Sequence, residues 1–190
     1  MDNNSLELIS KIDWIKDLES DLFEKINKFC SIEIFQEGDI LCQSNFIPSK
    51  VFFIIEGQAR LIYKFENEEN TVEKIEKNNW IGLISFIRNA PIEDVLAVSK
   101  LKVLSIPEEI FIELLKHSKL KNYTEITLIE IVDLIYKKNS NKNFQFRNVL
   151  EKANQIKKGI KIYKDSKKSS HKIYLLGSNN LKNKIIYDQI

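Results

Sequence analysis

Between Ser31 and Pro107 the chain is a succession of short alternating segments, each closed by a turn signal, and neither flank reads this way. SIEIF alternates apolar and polar residues, and Gly38-Asp39 marks a turn after it. VFFIIEGQARLIYKF has the strand-turn-strand pattern of a hairpin with Gly57 near its corner. FENEENT reads as a polar loop, TVEKIEK alternates again, and VLAVSKLKVLSIP gives two more strands joined at Ser99-Lys100. Short strands at such regular spacing predict an antiparallel sandwich or barrel of about eight strands. Only the segment after Gly82 interrupts them, with a helical turn.

Both flanks are helical. Leu8, Ile9, Ile12 and Ile15, then Leu22, Phe23, Ile26 and Phe29, recur at helical spacing and predict two short amphipathic helices broken near DLESD. Helices return at Pro107, with Glu108 and Glu109 suited to the positive end of the helix dipole and Phe111, Leu114 and Leu115 as the buried stripe. Asn122 with Glu125 resembles a capping box for the next helix, whose face is Leu128, Ile131, Val132 and Ile135. A last helix, from Asn143 to Lys157, aligns Phe146, Val149, Leu150 and Ala153. That stripe is expected either at a homodimer seam or against a following domain, or packed on the helix of Leu128 and Ile135. After Gly159, KDSKKSS reads as a flexible basic linker, HKIYLL as an isolated strand and IIYDQI as an apolar end, which suggests a fragment of a longer chain. The expected layout is N-terminal helices over 1–30, a β-roll over 31–118, helices over 119–158, and a linker or the start of a further domain over 159–190.

Composition narrows the function classes. At 190 residues, 43% hydrophobic and 29% charged, the chain suits one globular domain with an appendage. No run approaches the roughly 18 apolar residues of a membrane span, and MDNNSLELIS is no signal peptide, so a cytoplasmic setting with no direct membrane span is expected, including the cytoplasmic part of an inner-membrane protein. Cys30 and Cys42 could pair, but their apolar contexts read as buried free thiols. His117 and His171 stand apart, with no ligand cluster and no motif-placed nucleophile, so neither a metal site, a cofactor nor an enzyme is expected. From Glu151 to Ile190 ten lysines face three acids, while residues 1–150 carry 19 basic and 24 acidic residues. Such a basic tail could touch nucleic acid or anionic lipid, but lysines dispersed among Ile, Tyr and Asn read as solvated surface, and no nucleic-acid partner is expected.

Helices, about eight strands with one embedded helical turn, then helices: over Ile12 to Lys116 this order resembles the cyclic nucleotide-binding domain, an antiparallel β-roll of jelly-roll type. Phe35 to Leu41 resembles the family's glycine turn leading into a strand, Val51 to Leu61 its strand with a glycine, and Ser105 to Glu109 the lead into its exit helix. The segment after Trp80 resembles its phosphate-binding cassette, which runs roughly F-G-E-L-A-L and then P-R-x-A. The resemblance implies that Gly82 lets the backbone approach a ligand, that N–H groups of the short helix hold the phosphate, that a glutamate after the glycine accepts the ribose hydroxyl, and that an arginine after the proline pairs with the phosphate. Here Leu83 replaces that glutamate, Ile92 replaces that arginine, and the stretch from Pro91 to Ala97 is one residue shorter.

Losing one partner of a buried charged pair costs roughly 2–5 kcal/mol, and about 1.4 kcal/mol is a factor of ten. On this reading Leu83 and Ile92 fill the former pocket as core, Glu93 and Asp94 add repulsion beside the phosphate position, and Arg88 is the one cation able to rescue anion binding. Binding of cAMP or cGMP is therefore not expected.

The pattern Gly82, Ser85, Arg88, Pro91 and Glu93 resembles that of degenerate domains of this type at the N-terminus of bacterial peptidase-containing ABC peptide exporters. The resemblance implies a non-catalytic regulatory or docking module whose partners are the following transporter domains. The alternatives are a transcription regulator of the catabolite-activator type or a sensor of a different small ligand. For the regulator the best helix-turn-helix candidate is NFQFRNVLEKANQ, which precedes linker-like sequence.

Overall fold

The expected alternation resolves into eight strands: β1 (Ser31–Phe35), β2 (Ile40–Cys42), β3 (Lys50–Glu56), β4 (Ala59–Phe65), β5 (Glu68–Ile75), β6 (Trp80–Ile81), β7 (Asp94–Ala97) and β8 (Leu101–Pro107). The computed structural model describes residues 3–65, 68–116, 126–138 and 145–165. The strands form two four-stranded antiparallel sheets, ordered β1-β8-β3-β6 and β2-β7-β4-β5. Apart from β4 and β5, which pair directly, each strand is followed by one in the opposite sheet. This is the antiparallel β-roll expected from the sequence.

The stretch read as a hairpin about Gly57 is no hairpin. β3 pairs with β8 and β6, whereas β4 pairs with β5 and β7, so at Gly57 the chain passes from one sheet to the other. The reason lies in the unbroken apolar run Val51 to Ile54, all four residues buried. Val51 and Phe53 join the cluster under the helices, so Phe52 and Ile54 point to the opposite face of the sheet. A strand covered on both faces belongs inside a layered fold. Gly57 has φ 93°, and a Cβ there would lie 2.4 Å from the carbonyl oxygen of Lys100, so only glycine fits. The expected loop FENEENT is also shorter than it reads: β4 and β5 pair up to Phe65 and Glu68, leaving two residues between them.

Three helices precede the strands where the sequence predicts two: α1 (Asn3–Ser10), α2 (Asp13–Lys16) and α3 (Ser20–Phe29). The extra break comes where Lys11 and Ile12 donate N–H bonds to Leu8 and Ile9, tightening the last turn of α1. It keeps Ile9, Ile12 and Ile15 all buried. They meet Ile26 and Cys30, the sheet residues Val51, Phe53, Leu104 and Ile106, and Ile110, Phe111 and Leu114 of α5 (Glu108–Leu115). Trp14, Phe53, Trp80 and Phe111 interleave there, with ring centroids 5.0–5.6 Å apart along the chain of contacts. Cys30 and Cys42 are both free and buried, and burial pushes the Cys30 thiol up to about 12.

The chain divides into two compact units, residues 1–125 and 126–190. In the second, α6 (Leu128–Lys138) packs on α7 (Phe146–Asp165), with the rings of Tyr136 and Phe146 stacked at 6.4 Å. The expected α6 face of Leu128, Ile131, Val132 and Ile135 is buried, as are Val149 and Ala153, while Phe146 and Leu150 are half-buried. The box expected at Asn122 and Glu125 lies outside the described residues. Within the described residues Glu130 reaches back over the start of α6, its carboxylate accepting from the Thr127 N–H at 2.7 Å and hydroxyl at 2.8 Å. α7 continues through Lys164 and Asp165, which the sequence assigns to a linker, while residues 166–190, with HKIYLL and IIYDQI, lie outside the description. No helix among the described residues is long and apolar enough to cross a membrane.

Gly57 and Gly38 provide a paired test of the turns, since Gly38 has φ 90° but faces open space, with nothing within 4 Å of an added Cβ. Gly38→Ala is expected to cost about 1–2 kcal/mol from backbone strain alone, and Gly57→Ala distinctly more, because the Lys100 carbonyl must also move. Urea unfolding of both variants measures this. Equal losses would show that the sheet-to-sheet passage is not tight.

Candidate functional site

The cassette starts where β6 ends. Gly82, at φ 79° and ψ −4°, is the N-cap of α4 (Leu83–Arg88), and Asn89 closes that helix in the left-handed region at φ 50°. A Cβ on Gly82 would lie 3.2 Å from Cys42 Sγ and 3.3 Å from Pro48 Cγ, so the glycine answers both a backbone angle and a close approach. The chain then returns through Pro91 and Ile92 to β7.

The first amides of a helix have no acceptor within it. In α4 they find one eight to eleven residues later: the Glu93 carboxylate accepts from the Ser85 N–H at 2.8 Å and the Gly82 N–H at 3.3 Å. Ser85 replies, its Oγ accepting the N–H groups of Ile92 at 3.1 Å and Glu93 at 3.0 Å. Glu93 is 5% exposed and Ser85 1%. Burial pushes the Glu93 carboxyl above its ordinary range, opposed by hydrogen bonds from the backbone and side chain of Ser85 and the backbones of Gly82 and Ile84. The carboxylate thus occupies the positive end of α4, the place where the resemblance puts a phosphate.

The other sequence candidates divide. Leu83 is buried in the helix-covered cluster. Ile92 is half-buried and outside that cluster, so the expectation that it fills the core does not hold. Arg88 is half-buried in the last turn of α4, where a cation complements the helix dipole. Asp94 turns away from α4: it accepts from the Ser44 N–H at 3.1 Å and hydroxyl at 2.5 Å, and pairs with Lys64 Nζ at 3.3 Å. The sequence reading makes Glu93 and Asp94 neighbours that repel a phosphate. In the structure they meet different partners: Glu93 caps the start of α4, and Asp94 anchors the loop between β2 and β3.

Sequence reasoning misses Ser85 and Ser44. Ser85 stands in the Gly82, Ser85, Arg88, Pro91, Glu93 pattern without a role, whereas Ser44 carries no local signal. Among the described residues no group of three His, Cys, Asp or Glu side chains is placed to hold a metal ion.

Residues 32–118 match the family model of the cyclic nucleotide-binding domain. Solved structures share the fold. The regulatory domain of Toxoplasma gondii PKA, crystallised with cAMP, is 13% identical over 80% of this chain and 59% of that one, with a TM-score of 0.56. The regulatory subunit of a cAMP-independent protein kinase A from Trypanosoma brucei is 16% identical over 75% and 48%, with a TM-score of 0.52. A cAMP-binding acyltransferase from Mycobacterium smegmatis is 13% identical over 71% and 40%, with a TM-score of 0.53. The chain spans about half the length of these proteins. No curated protein matches the sequence. Over residues 32–118 the chain is therefore similar to the cyclic nucleotide-binding domain, and it shares its fold with these solved structures.

The raised Glu93 carboxyl sets a pH dependence. In the window from the unfolded carboxyl value of about 4.3 up to the raised folded value, the native state holds more protons than the unfolded one, so stability falls as pH rises. Glu93→Gln is expected to lack this component: the stability difference between wild type and variant should change between pH 5 and 7, with wild type losing more as pH increases. Urea unfolding at several pH values measures it. Parallel curves would show that Glu93 titrates normally.

Proposed function

We propose that this domain is a non-catalytic regulatory or docking module that works without cAMP or cGMP. The observation that carries the reading is the Glu93 carboxylate on the N–H groups of Gly82 and Ser85, where a cyclic phosphate would need to sit. Two further features support it. Leu83 stands in place of the ribose acceptor and is buried, and Ile92 stands in place of the phosphate-pairing arginine. A phosphate would have to displace a tethered carboxylate and would meet no matched cation at position 92.

The setting we propose is the cytoplasmic, N-terminal part of an ABC-type peptide exporter. The support is the pattern Gly82, Ser85, Arg88, Pro91 and Glu93, three of whose members, Gly82, Ser85 and Glu93, make the contacts that close the cassette. In such a setting the module acts through its surface on the domains that follow.

Isothermal calorimetry with cAMP and with cGMP tests the nucleotide-independent reading. The loss of one buried charge pair corresponds to roughly 2–5 kcal/mol, so no saturable heat is expected below about millimolar ligand. Saturation at micromolar nucleotide would overturn the reading.

A further inference from the structure

Two buried side chains bind four backbone donors drawn from both ends of the cassette. Glu93 takes the N–H groups of Gly82 and Ser85, and Ser85 Oγ takes those of Ile92 and Glu93. We infer that Ser85 and Glu93 are positioning residues that form a permanent clasp between α4 and the start of β7, doing the bridging work of a bound anion so that the closed cassette is an intrinsic state of the chain. The inference deepens, and rests on, the reading of the domain as nucleotide-independent.

The geometry makes the clasp necessary. α4 has six residues, and its internal bonding starts only where the Phe86 N–H reaches the Gly82 carbonyl at 3.1 Å. Everything before Phe86 lacks an acceptor within the helix. Ile92 and Glu93 precede β7, so their amides lie outside the sheet ladder and depend on Ser85 Oγ. Each side chain holds the other segment. Glu93, carried by the β7 side, caps α4, and Ser85, carried by α4, caps the β7 side. At 1% and 5% exposure both side chains are shielded from bulk water, so the amides they accept from rely on them. The clasp also fixes the neighbouring layer, because Gly82 lies against Cys42 and Pro48.

Amide-resolved hydrogen exchange on the full chain, without nucleotide, tests this. In wild type the amides of Gly82, Ser85, Ile92 and Glu93 are expected to exchange slowly. Glu93→Ala should speed Gly82 and Ser85 at least tenfold, and Ser85→Ala should do the same for Ile92 and Glu93, with Ile54 in β3 and Val103 in β8 unchanged. Retained protection at Gly82 and Ser85 in a folded Glu93→Ala variant would overturn the clasp, as would wild-type amides that slow only when cAMP is added. Should a truncation also unprotect β3 and β8, Glu93→Gln decides, because it keeps one neutral acceptor. A rise of threefold or more at Gly82 or Ser85 supports the clasp, and no change at both overturns it. The functional reading fails separately, by nucleotide binding to wild type in the calorimeter, whatever the exchange rates show.

Discussion

A carboxylate removed from water needs donors, and a six-residue helix whose first turn is buried needs an acceptor. Glu93 and α4 meet both needs at once. Leaving either side unmade would strand a charge or several amides in the interior, and a buried polar group without its partner costs about 1–3 kcal/mol, more when charged. The contact therefore fixes where α4 lies relative to β7, and much of the surrounding structure follows from that placement.

Glu93 and Asp94 are consecutive, so in extended chain they face opposite ways. Glu93 reaches α4, and Asp94 reaches Ser44 and Lys64. β7 lies between β2 and β4 in its sheet, so the cassette is referenced to the middle of that sheet rather than to an edge. The loop between β2 and β3 is pinned at one end by Ser44 on Asp94. Near its other end, the Ser49 carbonyl accepts the Glu108 N–H at the start of α5. A single hydrogen-bonded series thus runs from α4 through β7 and this loop to α5. The end of β2 and this loop place Cys42 and Pro48 over Gly82, and burial first, then the nearby Glu93 and Asp94, push the Cys42 thiol up.

The β-roll is legible in the sequence because its signals are local. Alternation, Gly38 and the two strands joined at Ser99-Lys100 all report on a few adjacent residues. What is not legible is which strand pairs with which: Gly57 reads as a hairpin corner, and only the pairing of β3 with β8 shows it as a passage between sheets. The break at Lys11 and Ile12 is hidden for a similar reason, since Ile9, Ile12 and Ile15 keep helical spacing across it. Glu130 accepts the Thr127 N–H and hydroxyl at the start of α6, a Thr-x-x-Glu spacing that is itself a local signal. At the site, the burial of Leu83 is legible from its apolar side chain after Gly82. The role of Glu93 is not, because its acceptor function depends on donors eleven and eight residues earlier.

Ile92 and Glu93 are consecutive at the entry to β7, so in extended chain their side chains point to opposite faces. Ile92 is half-buried, while Glu93 is buried against the start of α4. A tethered carboxylate has an advantage that no diffusing nucleotide shares, because its translational and rotational freedom is already spent in folding. A free phosphate at the start of α4 would have to overcome that advantage. An acceptor that belongs to the chain itself cannot diffuse away, so the hydrogen bonds from Gly82 and Ser85 to Glu93 form without any free ligand.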